Sequence, residues 1–240
     1  MYKIFGFYKF KKIKNIKLLK KNLKNFIEEE QVRGTIIISI EGINGTISFK
    51  PTKYKKVKNK ILNLLNIRKL DNENISYYKY QAFKKGKIKI KNEVVPIGMK
   101  LNKIVTKNKI EPKDWNKFIL KKETVLIDTR KNFEFKVGTF KGSINPELNN
   151  FRDFPRYFKT LKKNQNIGMF CTGGIRCEKA SAYLNKKGFK NVYQLKGGII
   201  NYLDNVKKKD SLWSGDCFVF DNRVSIKHGL KPGNLKICPG

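Results

Sequence analysis

Ile167-Gly168-Met169-Phe170-Cys171-Thr172-Gly173-Gly174-Ile175-Arg176-Cys177-Glu178-Lys179-Ala180 is the stretch on which the reading of this chain turns. It opens as an apolar run suited to a buried strand, turns at the Gly-Gly pair, and continues as a helical pattern over 176–187. Cys171 therefore stands at the carboxyl end of a strand, the place where open α/β sheets bind their ligands. Gly173 and Gly174 let the backbone curl so that successive N–H groups point inward at a sulfur or an oxyanion, and the helix that follows adds its positive end. With the Arg176 guanidinium close by, these donors favour the thiolate and are expected to lower the Cys171 pKa from ~8.5 toward the ~3.5–7.5 range of activated cysteines. Thr172 and Ile175 complete the loop, and Cys177 sits where it can either resolve an oxidised or persulfidated Cys171 or pack beneath the loop.

Outward from this segment the pattern alternates. Strands are predicted over 124–128, 167–170 and 191–195 and helical stretches over 133–137 and 151–161, which is α/β with a mostly parallel sheet. Trp115, Phe118 and Ile119 at helical spacing mark its start, and the tail beyond Asp210 shows no period. The amino-terminal part differs. A strand over 2–10 precedes a helix with the stripe Leu19, Leu23, Phe26, Ile27, ended by Gly34; a strand over 35–40, a turn over 41–45 and a strand over 46–49 form a hairpin; Pro51 opens a helix with Val57, Ile61, Leu64 and Leu65; strands over 76–83 and 87–95 follow. That order is βαββαβ, an α+β ferredoxin-like sandwich. The expected division is 1–96 ferredoxin-like, 97–120 connector and first helix, 121–208 α/β domain, and 209–240 a short irregular carboxyl-terminal extension.

The formal charge of +35, from 54 basic and 19 acidic residues, suits a polyanionic partner, although Lys, Asn and Ile dominate throughout as compositional bias would also produce. Arginine escapes that bias and occurs only at positions 33, 68, 130, 152, 156, 176 and 223. A sheet with one helix-free face on so basic a chain is suited to single-stranded RNA, with Tyr77, Tyr78, Tyr80 and Phe83 as stacking candidates or core residues. No apolar run reaches the ~18 residues of a membrane span and no secretory leader is recognisable, so a cytoplasmic location is expected. Four cysteines, Cys171, Cys177, Cys217 and Cys238, suit thiol chemistry in a reducing compartment better than a disulfide framework. With His228 the single histidine, a two-histidine, one-carboxylate iron site cannot be assembled within one chain. Gly-x-Gly-x-x-Gly and Cys-x-x-Cys-His are absent as well, so no cofactor is expected.

Asp128-Thr129-Arg130 with Glu134 and Gly138, Gly142-Ser143-Ile144-Asn145-Pro146, Cys171 to Arg176, and Leu195-Lys196-Gly197-Gly198 together resemble the rhodanese family, in the family's order. The loop from Cys171 to Arg176 counts six residues, whereas related phosphatases carry a longer loop sized for phosphate. A closer resemblance lies in Glu41-Gly42-Ile43-Asn44-Gly45-Thr46, Phe151-Arg152-Asp153-Phe154-Pro155, the run from Met169 through Tyr183, and Cys217-Phe218-Val219-Phe220-Asp221-Asn222-Arg223. These resemble the rhodanese-like tRNA uridine hydroxylases across nearly the whole chain. The resemblance implies oxygen-dependent 5-hydroxylation of the wobble uridine of tRNA, with Cys171 as the active-site cysteine, molecular oxygen as co-substrate and tRNA as partner.

Arg176 joins Cys171 as a catalytic candidate, Asp128 is expected to orient Arg130 at the strand end, and Arg152, Arg156 and Arg223 are the candidate phosphate contacts. Many relatives continue with further paired cysteines where this sequence stops after Cys238, so a cysteine zinc site would lack ligands and no metal is expected. The same loop would equally serve a sulfurtransferase carrying persulfide on Cys171. A non-catalytic RNA-binding redox sensor is the alternative from another class.

Overall fold

The computed structural model describes residues 1–98, 104 and 108–236. Two compact units result: Met1–Val94 with Phe220–Arg223, and Val95–Val219 with Val224–Gly240.

In the first unit, β1 (Tyr2–Phe10), α1 (Ile16–Glu29), β2 (Arg33–Ser39), β3 (Gly42–Phe49), α2 (Tyr54–Leu65), β4 (Asn72–Tyr78) and β5 (Gly86–Ile90) follow in that order. The sheet order is β4-β1-β3-β2-β5. The first four strands form the βαββαβ sandwich, and β5 adds a fifth, parallel to β2, at the margin. Alternation decides the layers. Phe5, Phe7, Ile36, Ile38, Ile43 and Ile47 face the helices and pack with Leu19, Leu23, Phe26, Ile27, Val57, Ile61 and Leu65, while Leu64 is only partly buried against them.

Several boundaries differ from the sequence reading, each for a local reason. α1 stops at Glu29 as Gln31 turns into the left-handed region (φ 54°), well before Gly34. Gly34 instead lies inside β2 at φ +130°, where a Cβ would come within 2.2 Å of the Thr46 carbonyl oxygen, so it serves the close approach of β3. Strand β3 already begins at Gly42, leaving a turn much shorter than 41–45. β4 spans Asn72–Tyr78 and β5 ends at Ile90, so Tyr80 and Phe83 lie outside the strands. Tyr77 pairs in register with Lys3, whose Nζ sits 3.9 Å from the centre of the Tyr54 ring on α2. That places Tyr77 on the helix side, and only Tyr78 of the four stacking candidates shares the helix-free face within a strand.

The second unit is built on a parallel sheet of order β6-β10-β9-β7: β6 (Lys109–Ile110), β10 (Val192–Leu195), β9 (Asn166–Phe170) and β7 (Thr124–Asp128). Its strands are apolar on both faces. Ile127, Ile167 and Met169 enter one core with Phe154, Tyr183 and Leu184, while Leu126 and Phe170 enter the other with Trp115, Tyr202 and Leu203. The helices are α3 (Pro112–Ile119), α4 (Asn132–Val137), α5 (Phe154–Tyr157), α6 (Ile175–Lys186) and α7 (Gly198–Asn205). The helix expected over 151–161 is instead three short turns, with α5 between two 3₁₀ segments, Pro155 sitting in the first turn of α5. The tail is not irregular throughout. β11 (Trp213–Gly215) pairs with β8 (Gly138–Phe140), β12 (Cys217–Phe218) pairs with β13 (Ser225–Ile226), and Trp213, Cys217 and Ile226 are core residues.

Candidate active site

Strand β9 ends at Phe170 and delivers Cys171 directly into the loop, with Gly174 (φ 95°) as the residue before α6. The Gly174 N–H donates to Cys171 Sγ at 3.1 Å. Burial alone would push this thiol up. The Cys177 thiol as hydrogen-bond donor, the Arg176 charge, and the backbone N–H groups of Cys177 and Arg176 outweigh it and bring the group down to about 6. Cys177 is driven the other way, well above the ordinary thiol range, first by burial and then by the neighbouring Cys171 sulfur. The pair is therefore one thiolate, Cys171, and one thiol donor, Cys177, whose own sulfur lies 3.6 Å from Thr129 Oγ1.

What holds the loop is Glu134, a residue quoted in the family motif but given no role from the sequence. Its carboxylate is fully buried and accepts from Arg176 Nη1 at 2.7 Å and Nη2 at 2.9 Å, from Thr172 Oγ1 at 3.3 Å, and from the Lys131 N–H at 3.1 Å. Burial would raise its pKa, yet the charge and hydrogen bonds of Arg176, the charge of Arg130 and the Lys131 N–H hold it at about 2. The bidentate fork fixes the guanidinium in the plane of the carboxylate, a geometry lysine cannot reproduce. The signal available beforehand was the acidic residue at the third position of α4, where it also caps that helix.

Beneath the loop, Asp128 accepts from the Arg130 backbone N–H at 3.0 Å, from Nε at 2.9 Å and from Nη2 at 2.6 Å, and takes a further bond from Thr139 Oγ1. Arg130, only 1% exposed, also donates to the Gly138 carbonyl and stacks 5.2 Å from the Trp213 ring centre. Thr129 ties β7 to β9 through the Phe170 carbonyl. From the far side, the Ile199 and Ile200 N–H groups donate to the carbonyls of Cys171 and Thr172. Gly198 permits this approach, since at φ +69° any Cβ would sit 2.4 Å from the Cys171 oxygen and 2.7 Å from the Gly174 nitrogen.

The Cys171 side chain is 0% exposed, whereas Thr172, Gly173, Ile175 and Arg176 form a partly exposed rim. The sulfur thus lies at the bottom of the loop rather than at its mouth. Arg152 and Arg156 are exposed on the short turns near α5, and Arg156 lines an open cleft of about 600 Å³ with Tyr157, Asn149 and Asn150. Arg223 is not a phosphate contact. It is 5% exposed, belongs to the first unit, and spends its guanidinium on Asp221 (2.8 and 2.6 Å) and on Ser76 Oγ (2.9 Å). Cys217 is a buried thiol, pushed up to about 12 by burial. Cys238 lies outside the described residues.

Comparison with known proteins agrees with both units. Residues 2–94 match the UPF0176 acylphosphatase like domain and residues 111–205 match the rhodanese-like domain. Among full-length relatives, a protein of Pelagibacter ubique named tRNA uridine(34) hydroxylase is 57% identical over 100% of this chain and 80% of its own length. Namesakes from Prochlorococcus marinus and Picosynechococcus sp. are 43% and 42% identical over 99% and 98% of this chain, again over 80% of theirs. With identity of that level running through both units, and not confined to the cysteine loop, the chain belongs to the tRNA uridine(34) hydroxylase family.

Proposed function

We propose that this chain hydroxylates uridine 34 of tRNA with molecular oxygen as co-substrate, in the cytoplasm, and that Cys171 is the reactive centre. The observation that carries the activity is the 57% identity to a protein of that name across the entire chain. At residue level the reading is supported by a sulfur that accepts the Gly174 N–H and is ionised near pH 6, so it is a thiolate at neutral pH. Cys171 is the group that meets the base, Arg176 stabilises charge on it, and Glu134 and Asp128 are positioning residues that act through Arg176 and Arg130. An anticodon-loop base is unpaired or easily splayed out, so presenting it to the loop costs little. Thr172, Gly173, Ile175 and Arg176 form the partly exposed rim over the sulfur that the base approaches, and Arg152 and Arg156 contact tRNA phosphates. Among the described residues no helix is long and apolar enough to cross a membrane.

Nucleoside mass spectrometry of tRNA from a deletion strain complemented with Cys171→Ser tests this reading. The expected result is loss of 5-hydroxyuridine at position 34; retained modification would sink the role of the cysteine. A sulfurtransferase is separated from a hydroxylase by the purified protein itself, through transfer of sulfur from thiosulfate to cyanide in the absence of any hydroxylated product.

A further inference from the structure

The pairing register divides the first unit's sheet into two chemically different faces. On the helix side, the carboxylates meet cations. Asp71 pairs with Lys9 at 2.7 Å, Glu73 with Lys58 at 2.7 Å, and Glu30 with both Lys53 and Lys56. The helix-free side has a different composition. One row running across the five strands reads Lys87, Thr35, Thr46, Gly6, Asn74, and the next reads Lys89, Ile37, Asn44, Tyr8, Asn72. Arg33 opens the row beyond, with Ser48, Ile4 and Ser76. None of these rows contains a carboxylate of its own, and Asp221, which comes near, is clamped to Arg223 at Ser76, on the β4 side away from the margin.

Arg33, Thr46, Lys87 and Lys89 are exposed, and the three cations make no ion pair with any described residue. They line the β2–β5 margin. The Lys-Ile alternation of β5 puts Ile88 into the helix-side core and both lysines on the opposite face, one pleat repeat (about 6.8 Å) apart. Ile4, Tyr8, Ser48 and Ser76 are buried, so the accessible part of this face is the cationic margin with Thr35, Asn44, Thr46 and Asn74 beside it. A row of cations beside hydroxyl and amide side chains is complementary to a chain of phosphates and sugar hydroxyls.

We propose that the helix-free face of the first unit's sheet, along the margin formed by Arg33, Lys87 and Lys89, binds the sugar–phosphate backbone of the RNA substrate. The inference rests on the reading of tRNA as substrate. It replaces the tyrosine-stacking surface expected from the sequence with a cationic one. A competing physical role for lysines on a marginal strand is to block edge-to-edge association, and the experiment separates the two.

The full chain with Arg33→Gln, Lys87→Gln and Lys89→Gln is compared with a control carrying Lys17→Gln, Lys20→Gln and Lys21→Gln, exposed lysines of α1. The probe is an unmodified tRNA transcript with uridine at position 34, titrated across a salt series. The margin variant is expected to bind roughly tenfold or more weakly at 0.1 M salt, with the slope of log K against log salt smaller by about 2. The control is expected to stay within about twofold, and hydroxylation by the margin variant to recover at saturating RNA, raising KM and sparing kcat. Equal losses in both variants, or self-association of the margin variant with unchanged RNA affinity, would overturn the proposal. Weakened RNA binding in a protein whose wild type makes no 5-hydroxyuridine would leave this surface standing and remove the hydroxylase reading instead.

Discussion

Asp128-Thr129-Arg130 and Asp221-Asn222-Arg223 are the same device built twice. In each, one carboxylate accepts the backbone N–H two residues on at 3.0 Å, then Nε, then Nη2 at 2.6 Å, and both pairs are buried. Their destinations differ. In the second unit the clamped Arg130 crosses to the Gly138 carbonyl and the Trp213 ring, under the strand ends that carry Thr129 and Cys171. In the first unit the clamped Arg223 reaches Ser76 on β4 and fastens a short segment of late sequence onto the sheet, while Asn222 bonds Gln81 and Ala82. An Asp-x-Arg motif therefore specifies a rigid, correctly turned guanidinium and nothing about its use. The contrast can be broken by removing each partner in turn.

Asp128→Asn is expected to have the largest effect. It leaves Arg130 buried with an unpaired charge, and Arg130 Nη1 already has no hydrogen-bond partner among the described residues, so the loss is at the upper end of about 3–5 kcal/mol by denaturant melting. The same variant is expected to lose cysteine reactivity with the strand-end geometry. Arg176→Gln comes next and acts on both stability and chemistry, because it leaves the fully buried Glu134 carboxylate without its bidentate cation. Without the guanidinium, the pH midpoint of Cys171 alkylation rises from near 6 by about one unit or more, and hydroxylation at pH 7 falls with the thiolate fraction.

Asp221→Asn is expected to cost about 3 kcal/mol, at the lower end of the same range, because Arg223 keeps its bond to Ser76. Its alkylation profile is expected to match wild type wherever the chain is folded; a shifted midpoint would show that the two clamps are not independent. Ser76→Ala, which removes one bond to a charged donor, is the smallest, about 1.5 kcal/mol. Acid sharpens the contrast further. Glu134 has a folded pKa of about 2, below its unfolded value near 4.5, so its stabilisation is complete above that unfolded value and is lost as pH falls through the window toward 2. The Glu134→Gln variant is expected to lack that part of the acid dependence.

Much of the frame was legible from local pattern. The buried residues of α1 are the four of the predicted stripe, β7 runs over the predicted 124–128, and the strand, Gly-Gly turn and helix around Cys171 stand where spacing put them. Periodicities of two and 3.6 residues are set by backbone geometry within a few residues of each position, so a single chain displays them. Element ends were less legible. Gly34 reads as a helix stop in one dimension and is a strand residue only because β3 passes 2.2 Å from its missing Cβ. The tail showed no period because its strands, two and three residues long, are too short to have one.

Local pattern carried the order of the two units, through the periodicities of successive segments, and the six-residue cysteine loop and the Asp128-Thr129-Arg130 turn, each written within a span shorter than a helix. It takes the folded chain to show that Glu134 clasps Arg176 across 42 positions, that Arg223 reaches Ser76 across 147, that the sulfur lies beneath its loop, and that both lysines of β5 share the helix-free face. Those facts depend on strand register and long-range closure. For the two guanidinium contacts the cost of burying the charge is offset by pairing with a specific distant partner, for the lysines the face is set by register, and no local propensity encodes either.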